Sequence, residues 1–116
     1  MNIKFDEMIS SPGRLGILAT LVPGVPVSFT EMNAATSLSD GNLHVQTRKL
    51  ADVGYIEISK IMKGRRSVTQ FRITELGRER LRLYVMKLQK VLESEAGGAR
   101  QHAQRPERPD DSAVWT

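Results

Sequence analysis

The chain has 116 residues, with 17 Lys and Arg against 13 Asp and Glu, and no cysteine. That length suits one small domain, and the missing cysteines exclude disulfides, thiolate metal sites and cysteine nucleophiles. No apolar run nears the roughly 20 residues that span a bilayer, and the acidic N-terminus lacks the apolar core of a signal peptide, so a reducing, cytoplasmic setting is expected.

Ile3, Phe5, Met8 and Ile9 have a spacing that predicts a short N-terminal helix over residues 2–9. Ser11-Pro12 then reads as an N-cap followed by a first-turn proline, whose missing N–H costs nothing there. The helix is expected to run to about Val22, with Leu15, Ile17, Leu18, Leu21 and Val22 as its apolar members, and to end at Pro23-Gly24. Val25-Pro26-Val27 is too short for more than an edge strand. Ser28-Phe29-Thr30-Glu31 is a capping box that opens a helix to about Thr36.

Ser37-Leu38 forms the turn, and Ser39 is the next N-cap. Asp40 follows in the first turn, where a helix dipole favours negative charge. Leu43, Thr47, Leu50 and Val53 lie at helical spacing and are expected to face the core. Gly54 sits where a left-handed helix end is common. Tyr55–Ile61 and Ser67–Ile73 are rich in β-branched residues, and Lys63-Gly64-Arg65-Arg66 lies between them, which predicts a hairpin. Thr74 caps a last helix, about Glu75 to Glu95. Leu81, Tyr84, Leu88 and Val91 alternate three and four apart along it, and Val85 and Leu92 widen the stripe. Ala96-Gly97-Gly98 ends it, and residues 99–116 mix prolines with both charges in the manner of a disordered tail. Trp115 stands alone there.

The basic charge is unevenly placed. Residues 48–90 hold 12 Lys and Arg against 4 acids, while the segments on either side are net acidic. Such a concentration is the footprint of a phosphate-binding face; a solvated helix surface is the alternative.

Helix, short strand, helix, helix, strand, basic turn, strand, long helix is the order of a winged helix-turn-helix. The chain resembles the MarR/ArsR-like winged-helix transcriptional regulators, in particular compact ones carrying only this domain. The residues that carry the resemblance are Gly13-Arg14-Leu15-Gly16-Ile17-Leu18, Ser28-Phe29-Thr30-Glu31, Leu38-Ser39-Asp40-Gly41-Asn42-Leu43, Arg48-Lys49-Leu50, Gly54-Tyr55-Ile56-Glu57, Lys63-Gly64-Arg65-Arg66 and Thr74-Glu75-Leu76-Gly77. They span roughly residues 11–95. Thr47 departs from the family, which usually has an apolar residue at that position.

The resemblance implies an α+β, mostly α fold. It has a two- to three-stranded wing sheet and a long C-terminal dimerisation helix, with the domain at residues 1–95 and a tail at 96–116. It implies a dimeric, sequence-specific regulator of transcription, expected to be a repressor, whose partners are double-stranded DNA and a second copy. The helix over 39–53 would read the major groove and the wing over 62–67 the backbone or minor groove. Ser39 stands at its start; Gly41, His44, Val45 and Arg48 point away from the core stripe, with Asn42 and Lys49 flanking them. Asn can pair with adenine, Arg with guanine, and Val can touch a thymine methyl. Gly41 would permit close approach to the backbone. For Arg48 and Lys49, and more so for His44 and Gln46, the alternative is a solvated face.

Lys63, Arg65 and Arg66 crowd one hairpin tip, where mutual repulsion gives folding nothing, so phosphate contact explains them better than edge protection. Arg14, near a helix start, suits either a phosphate or a surface salt bridge. The stripe of Leu81, Tyr84, Val85, Leu88, Val91 and Leu92 must be buried against something. A twofold partner's helix is expected, with Ile3, Phe5 and Met8 as candidates to aid it, rather than the domain's own core.

An enzyme is not expected, nor is a cofactor or metal. His44 and His102 are the only histidines, and no phosphate loop, nucleophile elbow or carboxylate pair is present. Any small-molecule effector is unspecified by the sequence. The rival reading is a non-catalytic winged-helix module that binds a protein partner.

Overall fold

In the computed structural model, residues 4–98 are described, and their side chains as far as Ser94. The chain divides into two compact units, Met1–Val85 and Met86–Thr116. The first holds α1 (Pro12–Leu21), β1 (Val27–Ser28), α2 (Phe29–Thr36), α3 (Asp40–Asp52), β2 (Ile56–Lys63) and β3 (Arg66–Ile73), and α4 (Glu75–Gly98) starts within it. The strands form one antiparallel sheet in the order β1-β3-β2. This is the α+β winged arrangement expected from the sequence, with three strands in the sheet.

The expected caps close these helices. Ser11, Ser28 and Ser39 accept from the backbone amides of Arg14, Glu31 and Asn42, and Glu31 completes its box with Ser28. Those bonds hold the Glu31 carboxyl below its ordinary range: the Ser28 backbone amide contributes most, then the Ser28 hydroxyl. The turn between α2 and α3 is a left-handed cap at Ser37, φ +60°, and the Asn33 amide secures it by donating to the Leu38 carbonyl at 2.6 Å.

Ile9, Ile17, Leu18, Leu21, Met32, Leu43, Leu50, Ile56 and Phe71 fill the core, with Tyr55 and Ile73 at its margin. Thr47 is buried among them. Its hydroxyl donates within α3, to the Leu43 carbonyl at 2.7 Å, so the polar atom at this usually apolar position is satisfied by its own helix.

Several expectations fail. Residues 7–9 form a turn, not part of a helix. The Asp6 carboxylate accepts from the Met8 amide at 2.9 Å, taking a donor that a longer helix would use, while its carbonyl accepts from Ile9 and Ser10 and so closes a single turn. Val53 is 39% exposed, because α3 has already ended at Asp52. Val22 is likewise a cap residue outside the core. α4 continues through Gly98, three residues past its expected end. Ile3 and the tail from residue 99, with His102 and Trp115, lie outside the described residues.

One junction sets the angles of α3, the wing and α4. Gly54, at φ +83°, turns the chain out of α3, and the Tyr55 amide bonds back to the Leu50 carbonyl at 2.9 Å. The Thr74 amide donates to the Tyr55 carbonyl at 3.0 Å and its hydroxyl to the Gly54 carbonyl at 2.6 Å; that hydroxyl also caps α4 by accepting from the Gly77 amide at 3.0 Å. A Cβ on Gly77 would overlap the Tyr55 carbonyl group. Gly77→Ala is therefore expected to cost about 3 kcal/mol, because backbone must move to admit the methyl. Urea unfolding measures this, and a loss under about 1 kcal/mol would show that the junction is not tight.

Candidate nucleic-acid interface

The side chains expected to meet DNA come from α3 and the tip of the β2–β3 hairpin. Gly41, Asn42, His44, Val45, Arg48 and Lys49 are all exposed on α3, as is Ser39 at its cap. The opposite face of α3 is buried through Leu43, Thr47 and Leu50. The helix is thus fixed by one side and presents the other. A side chain at Gly41 would meet nothing within 4 Å, so this end of α3 is open to close approach.

At the hairpin tip, Gly64 takes φ +65° in a two-residue turn with Arg65, the arrangement of a type II′ hairpin with glycine first. The turn places Lys63 directly across from Arg66. Like charges facing each other across a strand pair are destabilising. Lys63, Arg65 and Arg66 are all exposed, and Arg48, Lys49, Arg65 and Arg66 have no ion-pair partner among the described residues. Glu31 feels the charge of Lys63, while the repulsion between Lys63 and Arg66 is one that an external anion would offset.

Between α3 and the wing runs an open groove of about 270 Å³, lined by Phe29, Thr30, His44, Arg66, Ser67, Val68 and Thr69. Its floor includes the ring contact of Phe29 with His44, centroids 4.7 Å apart. His44 is therefore exposed yet braced by α2. A second groove, about 450 Å³, lies past Arg66 and is bordered by Pro26, Glu31 and Lys63. Among the described residues, no group of His, Cys, Asp or Glu could hold a metal, and no helix is long and apolar enough to cross a membrane.

Two residues have roles that periodicity does not show. Arg14 turns inward and makes no salt bridge among the described residues. Its Nε donates to the Met8 carbonyl at 2.6 Å, its Nη2 to the Glu7 carbonyl at 3.4 Å, and its Nη1 to Gln46 Oε1 at 2.6 Å. Gln46, half-buried, donates in turn to Asn42 Oδ1 at 2.9 Å. The spacing of Asn42 and Gln46, four apart on one helix, is a legible signal for such a bond; the reach of Arg14 across 32 residues is not.

The N-terminal segment that Arg14 grips is fixed at two further points. Phe5 packs edge-on against Tyr84, centroids 5.6 Å apart, and the Tyr55 hydroxyl donates to Asp6 Oδ2 at 2.5 Å. Leu81 and Tyr84 are consequently half-buried against the domain's own core. Val91 is half-buried, while Val85, Leu88 and Leu92 are exposed, as are Leu76, Leu83 and Met86, which the stripe did not include.

Residues 14–92 match the family described as winged helix DNA-binding domain, and the chain belongs to that family. Several solved structures share the fold. The transcriptional regulator homologue protein from Pyrococcus horikoshii OT3 is 27% identical, with 77% of this chain and 88% of that one covered at a TM-score of 0.72. M. tuberculosis Rv0081 is 22% identical, with 78% and 87% covered at 0.66. The S. aureus MepR in its DNA complex is 11% identical, with 84% and 79% covered at 0.64. No curated protein matches the sequence. The expected winged-helix resemblance is borne out by this family and by the shared fold.

The N-terminal strap carries a pH signature. Burial, then the bond to Asp6 and its charge, push the Tyr55 phenol from 10.0 up to about 12. The unfolded phenol ionises first, so stability is intact below pH 10 and falls as pH rises towards 12. Urea unfolding between pH 9 and 12 is expected to show this fall in wild type and a shallower one in Tyr55→Phe. Parallel curves would mean the bond does not persist in solution.

Proposed function

We propose that the protein is a cytoplasmic, dimeric, sequence-specific DNA-binding regulator of transcription that acts as a repressor. α3 would lie in the major groove, where Asn42, His44, Val45 and Arg48 face base edges and Ser39, Gly41 and Lys49 meet the backbone. Lys63, Arg65 and Arg66 would hold a phosphate run or the minor groove. The observation that carries this reading is the exposed cation cluster at the hairpin tip, with Lys63 opposed to Arg66, beside an exposed polar helix face. It is supported by the family, whose description is a DNA-binding domain, and by a neighbour solved with DNA.

Each phosphate neutralised contributes about 0.9 to the slope of log affinity against log salt. Fluorescence anisotropy on a labelled duplex is expected to give a slope lower by about 1 to 2 in Arg65→Ala/Arg66→Ala than in wild type. An unchanged slope removes the wing from the interface. Absence of binding near physiological salt would favour the protein-binding module instead.

The pairing reading rests on apolar side chains left on α4. Val85, Leu88 and Leu92 are exposed at 48%, 41% and 65%, and burying a leucine gains about 2 kcal/mol. Leu81, Tyr84 and Val91 would flank that contact. A twofold dimer would set two α3 helices about one DNA turn apart on a palindromic site. Light scattering is expected to give twice 13.0 kDa for wild type and 13.0 kDa for Leu88→Glu. A wild-type monomer at micromolar concentration, or an intact Leu88→Glu dimer, contradicts it.

A further inference from the structure

The three-residue chain Arg14, Gln46, Asn42 determines which end of an amide faces the reading surface. Side-chain amides ordinarily leave oxygen and nitrogen interchangeable. Here one cation removes the choice. A guanidinium has donors only, so the Gln46 atom 2.6 Å from Arg14 Nη1 must be its oxygen. Gln46 then has only its NH₂ to offer on the other side, and the Asn42 atom that it meets at 2.9 Å must be the carbonyl oxygen. The Asn42 NH₂ remains, exposed and without a hydrogen-bond partner among the described residues.

The guanidinium is itself held. Its Nε and Nη2 are committed to the Met8 and Glu7 carbonyls, which the Asp6 turn and the Tyr55 bond keep in place. Gln46 is half-buried. The orientation of Asn42 is thus set from α1 and the N-terminal strap, outside the reading helix.

We propose that Arg14 is a positioning residue for base readout: through Gln46 it fixes Asn42 with its amide NH₂ leading into the groove. This rests on α3 being the reading helix. A leading donor favours a base edge with acceptors, as guanine offers through O6 and N7, and disfavours cytosine, whose groove edge offers the N4 donor. Gln46→Glu tests the relay sharply. A carboxylate keeps the bond from Arg14 but has no hydrogen to give, so Asn42 must turn its NH₂ inward and present its carbonyl.

The experiment is selection of the full-length protein on a library of random-sequence DNA duplexes, comparing wild type, Asn42→Ala, Gln46→Glu and Gln46→Glu/Asn42→Ala. Wild type is expected to prefer guanine over cytosine by about fivefold at one position in each half-site. Asn42→Ala abolishes that preference there alone, Gln46→Glu inverts it towards cytosine, and the double variant shows none. If Asn42→Ala alters a position whose preference Gln46→Glu leaves as in wild type, the relay is wrong although the helix assignment stands. If Asn42→Ala alters no position, Asn42 reads no base and the proposal falls with that assignment. Side-chain amide exchange by ¹⁵N NMR on wild type needs no variant. Protected Gln46 NH₂ with freely exchanging Asn42 NH₂ is expected, and the reverse overturns the orientation.

Discussion

The first turn of α4 passes so close to the Tyr55 carbonyl that only a hydrogen fits between them, and Gly77 supplies it. Around this contact the chain leaves α3 at Gly54, starts β2, returns from β3 and starts α4. Thr74 ties the crossing together by donating to the Gly54 and Tyr55 carbonyls and capping the helix. The base of the wing, the end of α3 and the start of α4 therefore share one set of backbone atoms. A small domain buries too little surface to hold three such elements by apolar packing alone, so a rigid crossing has an outsized effect on their relative angles. The exposed groups of α3 and the cations of the wing can meet one partner together only if that angle is kept.

Two kinds of order meet at the interface. The wing cations are arranged by a turn and by strand register, and they are exposed. Their contribution is charge, felt over about a Debye length and insensitive to the exact position of each side chain. The face of α3 is different. Its start is capped by Ser39, its inner side is locked by Leu43, Thr47 and Leu50, and its outer amides are oriented from beneath by Arg14. Affinity without sequence preference suits the first arrangement, and discrimination between bases suits the second. His44, braced on Phe29, belongs with the second, although it borders the groove that leads to the wing.

What was legible in the sequence was local. Serine caps, the box at Ser28 and Glu31, Gly54 and the basic hairpin each declare themselves within four or five residues, and each is found where it was expected. The N-terminal helix failed because an apolar spacing cannot show that the Asp6 side chain competes for the same backbone donors. Val53 failed because the helix stops one residue before it. Arg14 carried its charge as a decoy: a cation near a helix start suggests an anion, but three acceptors from distant or irregular backbone and from Gln46 had already claimed it. Gly77 was part of a recognisable Thr74-Glu75-Leu76-Gly77 run, yet the reason for the glycine lies in Tyr55, more than twenty residues away. The stripe on α4 was read as one surface, whereas Leu81 and Tyr84 serve the domain's own core and leave Val85, Leu88 and Leu92 exposed.

The central claim is that α3 and the wing, held at a fixed angle by the Tyr55–Gly77 crossing, form one DNA-binding face. The most direct measurement is a ¹⁵N-amide NMR titration of the full-length protein with a mixed-sequence duplex at moderate salt. The account predicts shifts confined to residues 39–49 and 62–67, moving together along a single binding curve. Shifts centred elsewhere on the domain, or separate curves for α3 and the wing, would contradict it.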